Sequence, residues 1–469
     1  MADKLAITFY GGAQQVTGSC YLVEAVGKKI LVDCGLIQGR RFCESDNLKP
    51  FPFDAAAIDA VFVTHAHTDH IGRIPKLVRA GFRGPIYSTI PTKELAELML
   101  EDGLGLLKKD AESCGEEPPY GAEDLEKTIA QWRGVKYHEP ISLGDTTVSF
   151  LLAGHILGSS MLDIRVAGNP SMGSTSSPQA GSGQRRLVFS GDLGPDASLL
   201  MPPSDSIDHV DYLVIEATYG NSEHSKPEES EIILERAIED AASRRGTLMI
   251  PAFATERTQD VLFMVNKMLV DKRVPDMPIF VDSPLAIKVT EIFEKYHDYF
   301  SDDVKKLYLA HPHLFQFKGL KNTPTRDESM AINTVPPPKV IIAGSGMMTG
   351  GRILHHLKRY LPDPHSSLLI VGYQAAGSIG RKILDGASEV EIFNEVIPVR
   401  AKIIIAQGFS AHADKNRLFE FVEQLKYSLK HVFAVHAEPE AAEALVQTVR
   451  DRLGLPADAP KMGERFVLD

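Results

Sequence analysis

Residues 64–70 read Thr64-His65-Ala66-His67-Thr68-Asp69-His70 and place four potential metal ligands within six positions. They follow an apolar, strand-like run at residues 58–63. A strand that ends in such a turn can aim several imidazoles and a carboxylate at one point. Neutral His nitrogen and Asp oxygen suit zinc and closely related metals. The dense order H-x-H-x-D-H therefore favours a metal site over a solvated polar loop that happens to be rich in His.

The length and composition of the chain are those of an ordinary globular protein. Its 469 residues exceed what one compact core usually holds, so we expect two domains. We see neither a signal peptide nor an apolar stretch long enough to span a bilayer, which predicts a cytoplasmic protein without membrane contact. The formal net charge of −12 argues against a broad basic face for nucleic acid, but it allows a local cationic groove. The four cysteines include no C-x-x-C pair, which argues against a cysteine zinc site.

Hydrophobic periodicity divides the chain into two kinds of organisation. The first half shows many short strands with few helices, whereas strand and helix alternate from about residue 220, which indicates a parallel α/β sheet. Residues 321–338, which end in three prolines, are predicted to be a loop. Residues 167–184 consist almost wholly of small and uncharged polar residues and indicate a flexible hairpin-tip insertion, whose role the sequence leaves open.

Further polar residues stand at the ends of apolar, strand-like runs: His155, Asp192, Glu216, His412 and His436. Strand ends that converge at one rim of a sheet are a standard place for a functional site. Taken singly, each of these residues is more often a hydrogen-bonded structural group than a ligand. Their value as a signal depends on the pattern that they form together.

Several motifs occur in a fixed order around these residues. The first half contains Thr8-Phe9-Tyr10-Gly11-Gly12, Leu31-Val32-Asp33-Cys34-Gly35, Ala153-Gly154-His155-Ile156-Leu157-Gly158-Ser159 and Phe189-Ser190-Gly191-Asp192. Later come Glu216-Ala217-Thr218-Tyr219-Gly220, Ser345-Gly346-Met347-Met348, Phe409-Ser410-Ala411-His412-Ala413-Asp414 and Val435-His436-Ala437-Glu438. With these motifs, over nearly its whole length, the chain resembles the metallo-β-lactamase superfamily and, within it, the β-CASP branch of nucleic-acid-processing nucleases.

The resemblance is greatest to single-chain bacterial ribonucleases, which are similar to the endonuclease subunit of the eukaryotic cleavage and polyadenylation specificity factor. It implies an α/β fold, namely an αββα metallo-β-lactamase sandwich with an inserted α/β parallel-sheet β-CASP domain. Residues 1–217 and 397–469 would form the sandwich, and residues 218–396 the insertion. The chain departs from the family at Glu256, where Gly is often found, and at Ala437, where Gly is commoner.

The resemblance also implies two zinc ions and a ligand set for each of them. His65, His67 and His155 would hold the first ion, while Asp69, His70 and His436 would hold the second. Asp192 would bridge both ions. Two metals about 3.5–4 Å apart suit in-line displacement at phosphorus.

A catalytic arrangement follows from this ligand set. We expect a metal-bridging hydroxide as nucleophile and His412 as the general acid, with Glu216 holding the His412 ring and favouring its protonated form. We also count Asp69 as a catalytic residue. Its expected role is that of a ligand of the second metal, and not that of a free general base. The expected products carry a 5′-phosphate and a 3′-hydroxyl.

A Gly/Ser-rich turn at residues 345–352 precedes a predicted helix, and backbone N–H groups in such a turn can hold a phosphate. We therefore predict substrate contacts at Ser345, Gly346 and Arg352. A cation such as Arg352 is, taken alone, more often a solvated surface charge.

The leading interpretation is a zinc-dependent ribonuclease that hydrolyses single-stranded RNA as an endonuclease, alone or with 5′-exonuclease activity. A DNA nuclease of the same branch is the nearest alternative, although RNA-acting members have His at motif C where DNA-acting members tend to have Val. A small-molecule metallo-hydrolase is a second alternative, and a non-catalytic scaffold a third. The oligomeric state stays open, a homodimer included.

Overall fold

The computed structural model describes residues 5–38, 46–167, 184–196, 198–224, 227–374, 377–406 and 408–469. The chain divides into two compact units. Unit 1 comprises Met1–Ser198, Pro203–Glu223 and His412–Asp469, and unit 2 comprises Leu199–Pro202 and His224–Ala411. The predicted insertion at residues 167–184 lies outside the described residues, apart from its two end positions.

The first part of unit 1 supplies most of its strands. These are β1 (Leu5–Gly11), β2 (Cys20–Ala25), β3 (Lys28–Val32), β4 (Ala60–Phe62), β5 (Ile86–Thr89), β6 (Trp132–Val135), β7 (Ile141–Leu143), β8 (Thr146–Leu152), β9 (Ser160–Val166), β10 (Arg185–Phe189) and β11 (Tyr212–Glu216). The helices of this part are α1 (Thr68–Ile71), α2 (Ile74–Arg79), α3 (Ile90–Ser113) and α4 (Ala122–Gln131).

Unit 2 alternates helices and strands, as the sequence predicts. Its helices are α5 (Pro227–Arg244), α6 (Arg257–Val270), α7 (Pro284–Lys295), α8 (Asp302–Ala310), α9 (Arg326–Ala331), α10 (Ile353–Tyr360) and α11 (Ile379–Leu384). Its strands are β12 (Thr247–Pro251), β13 (Ile279–Val281), β14 (Leu320–Asn322), β15 (Lys339–Ala343), β16 (Ser367–Ile370), β17 (Glu389–Ile392), β18 (Glu395–Pro398) and β19 (Lys402–Ile405). Six of them form a parallel sheet in the order β14-β13-β15-β12-β16-β19.

The chain then returns to unit 1 with α12 (Lys415–Gln424), β20 (His431–Val435), α13 (Pro439–Leu453), β21 (Ala457–Asp458) and β22 (Arg465–Leu468). These strands complete two sheets of seven strands each. The orders are β22-β1-β2-β3-β4-β5-β6 and β21-β20-β11-β10-β9-β8-β7. Strand β20 pairs in parallel with β11, and Val435 lies opposite Glu216. The last part of the chain therefore lies beside a strand whose residues come 219 positions earlier in the sequence.

The two sheets of unit 1 pack face to face. Successive side chains of a strand point to opposite faces of its sheet, so one set lies between the sheets and the other faces outward. Phe433 and Val435 of β20 join the core between the sheets, whereas Val432 and Ala434 face α12 and α13 on the outer side. This is the two-residue period of a strand that is buried on both faces. Helix α3 packs beside β5 and β6 of the other sheet. The predicted α/β class, an αββα sandwich together with a parallel α/β sheet, is confirmed.

One sequence expectation is wrong. Residues 321–338 are not a loop throughout, because β14 begins at Leu320 and α9 occupies Arg326–Ala331. A capping box starts this helix: the Thr325 hydroxyl accepts from the Glu328 N–H, and the Glu328 carboxylate accepts from the Thr325 N–H. The prediction of a loop relied on the three prolines that follow the helix, although the capping-box sequence Thr325–Glu328 indicates the start of a helix.

The unit 2 sheet has a topological switch point between β12 and β15. These strands are neighbours, but the chain leaves β12 towards β13 on one side and leaves β15 towards β16 on the other. Loops at the carboxyl ends of two such strands line a crevice in open α/β sheets, and ligands commonly bind there. In this unit the two loops are residues 252–256 and 344–352.

The predicted domain boundaries at residues 217/218 and 396/397 stay a prediction, and we propose them as the limits of the inserted domain. Within the part of the chain that the structure describes, no helix is both long enough and apolar enough to cross a membrane.

Replacement of Phe150 by Ala should destabilise unit 1 by about 3–5 kcal/mol, because this ring is fully buried between the two sheets and its loss leaves a cavity. Urea unfolding followed by fluorescence measures the effect, since the only tryptophan, Trp132, lies buried in β6 of unit 1. The control is Tyr427→Ala, which removes a ring that is 95% exposed and should change stability by less than about 0.5 kcal/mol. Equal effects of the two substitutions would contradict the assigned core.

Candidate metal centre

All the predicted metal ligands lie in unit 1, at or just after the ends of strands or at the start of a helix. His65 and His67 follow β4, and Asp69 and His70 lie in α1. His155 follows β8, Asp192 follows β10, and His436 directly follows β20. Because β4 belongs to one sheet and β8, β10 and β20 to the other, the site forms only when the two sheets pack together.

The first ligand group contains His65, His67, His155 and Asp192, whose ligand atoms all lie within 4.8 Å of one another. The Nδ1 atom of His67 is 3.1 Å from His65 Nε2 and 3.2 Å from His155 Nε2. Asp192 Oδ2 lies 3.3 Å from His65 Nε2 and 3.6 Å from His155 Nε2. Metal bonds of about 2.0–2.1 Å in tetrahedral geometry place ligand atoms roughly 3.3 Å apart, so these separations suit one small cation.

The second ligand group contains Asp69, His70 and His436. His436 Nε2 lies 3.7 Å from Asp69 Oδ2. The other oxygen of the Asp192 carboxylate faces this group, with Oδ1 3.5 Å from His70 Nε2 and 3.7 Å from His436 Nε2. Asp192 therefore presents one oxygen to each group, which is the arrangement that a bridging ligand requires.

Two buried atoms that face each other at the second group have no hydrogen-bond partner among the described residues. They are His70 Nε2 and Asp192 Oδ1. Buried polar atoms are almost always paired, and His70 Nδ1 already lies 2.8 Å from the Asp33 carboxylate. The lone pair on His70 Nε2 and the Asp192 oxygen face each other, and both can donate electrons to one metal ion. The residues present therefore fit a divalent cation.

The protonation states of these residues agree with that fit. Burial holds the pKa of His65 and of His70 well below the usual value, and neighbouring imidazoles lower it further. Both rings are thus neutral, which is the form that binds metal. Burial raises the pKa of Asp192 to about 7 and that of Asp69 to about 6. Without a cation, the site retains protons that a metal would displace.

Residues beneath the ligands orient them, and the sequence analysis did not assign these residues a role. Asp33 accepts hydrogen bonds from Thr64 N–H and Thr64 Oγ1, both at 2.8 Å, in addition to its contact with His70. Ser19 Oγ lies 2.9 Å from His436 Nδ1 and fixes that ring. Such partners set the tautomer and direction of a ligating His. The sequence feature that could have indicated the role of Asp33 is its motif, in which an acidic residue directly follows the apolar strand β3.

The backbone of the ligand turn is held by residues just before β2 and just after β3. Ser19 N–H donates to the Asp69 carbonyl at 2.9 Å, and Cys34 N–H donates to the His70 carbonyl at 2.8 Å. This close approach requires glycine at position 35, where a Cβ would lie 1.4 Å from the Asp69 carbonyl oxygen. The dense motif of residues 64–70 thus depends on contacts that are remote in the sequence.

Glu216 and His412 form a separate pair beside the two ligand groups. His412 Nδ1 lies 3.1 Å and 3.2 Å from the two Glu216 oxygens and 3.9 Å from Asp192 Oδ2. Glu216 is fully buried at the end of β11 and also accepts from Leu193 N–H at 2.8 Å. Burial alone would lower the pKa of His412, but the charge of Glu216 and its hydrogen bond outweigh this and raise the pKa to about 9.

The predicted substrate residues lie in unit 2, at the switch point of its sheet. The Ser345 hydroxyl accepts from the N–H groups of Thr349 and Gly350, at 3.1 Å and 3.2 Å, and thereby closes the turn. Gly346 packs against Phe253, where a Cβ would meet the ring at 2.7 Å. The Arg352 guanidinium donates to Asp282 Oδ1 at 2.8 Å and to the carbonyls of two neighbouring loop residues. These contacts shape the turn, and a role in substrate binding stays a prediction.

The fold and the paired ligand groups define a metallo-hydrolase sandwich that carries an inserted domain, and comparison with known proteins gives the family. Models of the metallo-β-lactamase superfamily, the β-CASP domain and the Zn-dependent metallo-hydrolase RNA specificity domain match residues 13–238, 258–383 and 396–460.

Curated relatives match nearly the whole of this chain. The chain is 37% identical over 441 residues to Ribonuclease TTHA0252 of Thermus thermophilus, which covers 94% of this chain and 95% of the relative. It is 31% identical to an RNase J-like protein of Methanocaldococcus jannaschii, over 97% of this chain and 98% of the relative. It is 30% identical to transcription termination factor FttA of Methanosarcina mazei, over 97% and 70% respectively.

A solved structure shares the fold. The crystal structure of a protein of unknown function from Enterococcus faecalis V583 superposes with a TM-score of 0.57 at 14% identity, covering 99% of this chain and 100% of that chain. Together with the curated relatives, the matches show that this chain belongs to the β-CASP branch of the metallo-β-lactamase superfamily. The predicted family is confirmed.

Binding of a divalent ion should release protons below pH 7, and the affinity should fall as the pH is lowered. The carboxyls of Asp192 and Asp69, with pKa values of about 7 and about 6, take up protons in that range and compete with the metal. Zn²⁺ titration calorimetry in buffers of different ionisation enthalpy counts the protons. Asp145→Asn removes an exposed carboxylate from unit 1 and should leave the count unchanged. An affinity for Zn²⁺ that does not vary between pH 5 and pH 7.5 would contradict the assignment.

Proposed function

We propose that the protein is a zinc-dependent ribonuclease that hydrolyses phosphodiester bonds of single-stranded RNA. The observation that carries the proposal is the Glu216–His412 pair, held 3.9 Å from a carboxylate that faces two ligand groups. A metallo-hydrolase that acts on small molecules does not need a proton donor of this kind next to its metals. The relatives that are named ribonucleases match over nearly the full length of this chain and support RNA as the substrate class.

For the cofactor we propose two Zn²⁺ ions. His65, His67 and His155 would hold one ion, Asp69, His70 and His436 the other, and Asp192 would bind both. When bound, two such ions activate water and neutralise the charge that develops on the scissile phosphate. This assigns Asp69 to a ligand role, which its 3.7 Å separation from His436 Nε2 supports.

His412 is the proposed general acid for the leaving ribose oxygen. Its Nδ1 faces the Glu216 carboxylate, which fixes the direction of the ring, and Nε2 would be the atom that gives its proton to the leaving oxygen. A pKa raised to about 9 keeps the ring protonated at neutral pH, which is the state that an acid needs before transfer. Glu216 acts on the substrate through His412 and is a positioning residue.

For substrate binding we propose that the turn containing Ser345 and Gly346 holds a phosphate of the RNA chain. The Ser345 hydroxyl accepts from two N–H groups of the turn, and the N–H groups of Ser345 and Met348 donate to carbonyls within it. Contact with substrate would therefore use other backbone N–H groups of the turn, such as that of Gly346. Arg352 supports the same turn through Asp282 and adds positive charge beside it. The proposed mode is cleavage within the RNA chain, alone or together with 5′-exonuclease action.

The direct test uses matched single-stranded RNA and DNA oligonucleotides, each labelled at one end, with the Zn²⁺-loaded protein. The proposal expects RNA to be cleaved at internal positions, with 5′-phosphate and 3′-hydroxyl ends on the products. Preferential cleavage of DNA would favour a DNA nuclease of the same branch. Turnover of a thioester without cleavage of RNA would instead favour a small-molecule hydrolase.

Replacement of His412 by Ala should lower the rate constant for RNA cleavage by about 10²–10⁴-fold, because loss of a general acid typically costs that much. The Zn²⁺ content should stay unchanged, because His412 is not one of the proposed zinc ligands. Metal analysis and single-turnover cleavage on the same preparation measure both quantities. His311→Ala removes an exposed histidine and serves as the control. Normal cleavage by the His412 variant would remove this residue from the mechanism.

A further inference from the structure

The first turn of α6 in unit 2 buries three polar side chains that each keep an oxygen without a hydrogen-bond partner among the described residues. The atoms are Glu256 Oε2, Gln259 Oε1 and Asp260 Oδ1. The three residues are 3%, 0% and 5% exposed. Buried acceptor oxygens are nearly always paired in folded proteins, so three from one helical turn indicate a missing donor or cation.

The three side chains start from the same turn of the chain. Glu256 is the N-cap of α6, and Gln259 and Asp260 are the third and fourth residues of the helix. The Asp260 N–H donates to the Glu256 carbonyl at 2.8 Å, which holds these two residues next to each other. The direction of the Gln259 amide is set by its nitrogen, which donates to the Ala254 carbonyl at 3.1 Å and to Thr290 Oγ1 at 2.8 Å. Its Oε1 is therefore an acceptor, like the two carboxylate oxygens.

The charges in this cluster do not balance. The Arg257 guanidinium donates to Asp260 Oδ2 at 3.1 Å and lies over the Phe409 ring, 5.7 Å from its centroid. One guanidinium stands against two carboxylates, so the ionised cluster has a net charge of −1. A buried net charge is strongly unfavourable unless a counter-charge is bound.

The backbone gives a second reason to expect that the Glu256 carboxylate has a use. Glu256 has φ 68° and ψ −62°, a conformation that suits glycine and strains other residues. Glycine would therefore cost less at this position, both in strain and in buried charge. The residue also lies in the loop after β12, at the switch point of the sheet, where α/β folds commonly bind ligands.

We propose that Glu256, Gln259 and Asp260 bind a monovalent alkali cation, K⁺ or Na⁺, through these three oxygens. Hard cations prefer oxygen ligands, and the site contains no nitrogen or sulfur donor. A single positive charge makes the cluster neutral, whereas a divalent ion would leave an excess charge beside Arg257. The site belongs to unit 2 and is chemically distinct from the His-rich centre of unit 1. It does not depend on the proposed nuclease activity.

The test replaces choline chloride by KCl or NaCl at constant ionic strength and pH, on the full chain loaded with Zn²⁺. Amide hydrogen exchange of peptides that cover residues 252–262 reports local opening. An ion that binds only the closed form slows exchange by the factor 1 + [ion]/Kd, so about 11-fold protection is expected at roughly ten times Kd. Peptides from unit 1 should show no difference between the alkali and choline salts.

The matched variants are Glu256→Gln, which keeps the size of the side chain but removes its charge, and Glu291→Gln, which removes an exposed charge from α7 of the same unit. The first should abolish the protection by alkali ions, and the second should retain it. Equal exchange in alkali and choline salts would overturn the proposal. So would unchanged protection in the Glu256 variant. The same exchange measured in choline chloride over a range of pH gives the third outcome: protection that depends on pH and not on the salt would overturn the proposal, because a proton would then be the counter-charge.

Discussion

The metal centre of unit 1 depends on one carboxylate, Asp192, that faces imidazoles on both sides. Its two oxygens lie 3.3–3.7 Å from four ring nitrogens, and the side chain is only 2% exposed. Burial raises its pKa from 3.8 to about 7, so in the metal-free chain this group favours folding fully below pH 4 and loses that contribution as the pH rises to 7. A cation reverses the balance, because it stabilises the ionised carboxylate and uses the neutral imidazoles. Without a metal, burying the ionised Asp192 carboxylate at neutral pH is unfavourable. The packing of the two sheets therefore holds the ligands in place until a metal binds.

The parts of this site that the sequence predicts are those with a local signal. His65, His67, Asp69 and His70 form one dense motif, and the other ligands end apolar strands. The supporting residues could not be predicted in the same way, because their roles follow from pairings across the fold. Asp33 reaches His70 from 37 residues away, and Ser19 reaches His436 from 417 residues away. Neither residue differs in type from many polar residues in turns, so only the three-dimensional pairing reveals what each one orients.

The Glu216–His412 pair shows how the chain order serves the chemistry. Glu216 ends β11, and His412 precedes α12, so the whole of α5–α11 lies between them in sequence. The parallel pairing of β11 with β20 brings the chain back and places the carbonyl of His436 within 3.0 Å of the Thr218 hydroxyl. A fragment that ends before residue 412 would lack both His436 and the acid. The two motifs are therefore informative only as a set, which is why the family resemblance identified them and single-residue reasoning did not.

Unit 2 contains a second buried carboxylate, Asp282, that can be compared with Glu256 and Asp260. Asp282 is also fully buried, and burial alone would raise its pKa, yet four donors lower the pKa to about 2. The donors are His356 Nε2, Ser329 Oγ, Arg352 Nη1 and Thr323 Oγ1, all at 2.7–2.8 Å. This fold can thus satisfy a buried carboxylate entirely with its own side chains. In the cluster at the start of α6, the one guanidinium, that of Arg257, pairs with Asp260. Glu256 adds a second carboxylate there, in a backbone conformation that favours glycine. Compared with the Asp282 cluster, the cluster at the start of α6 lacks one positive charge and a partner for its unpaired oxygens. A bound alkali ion would supply both.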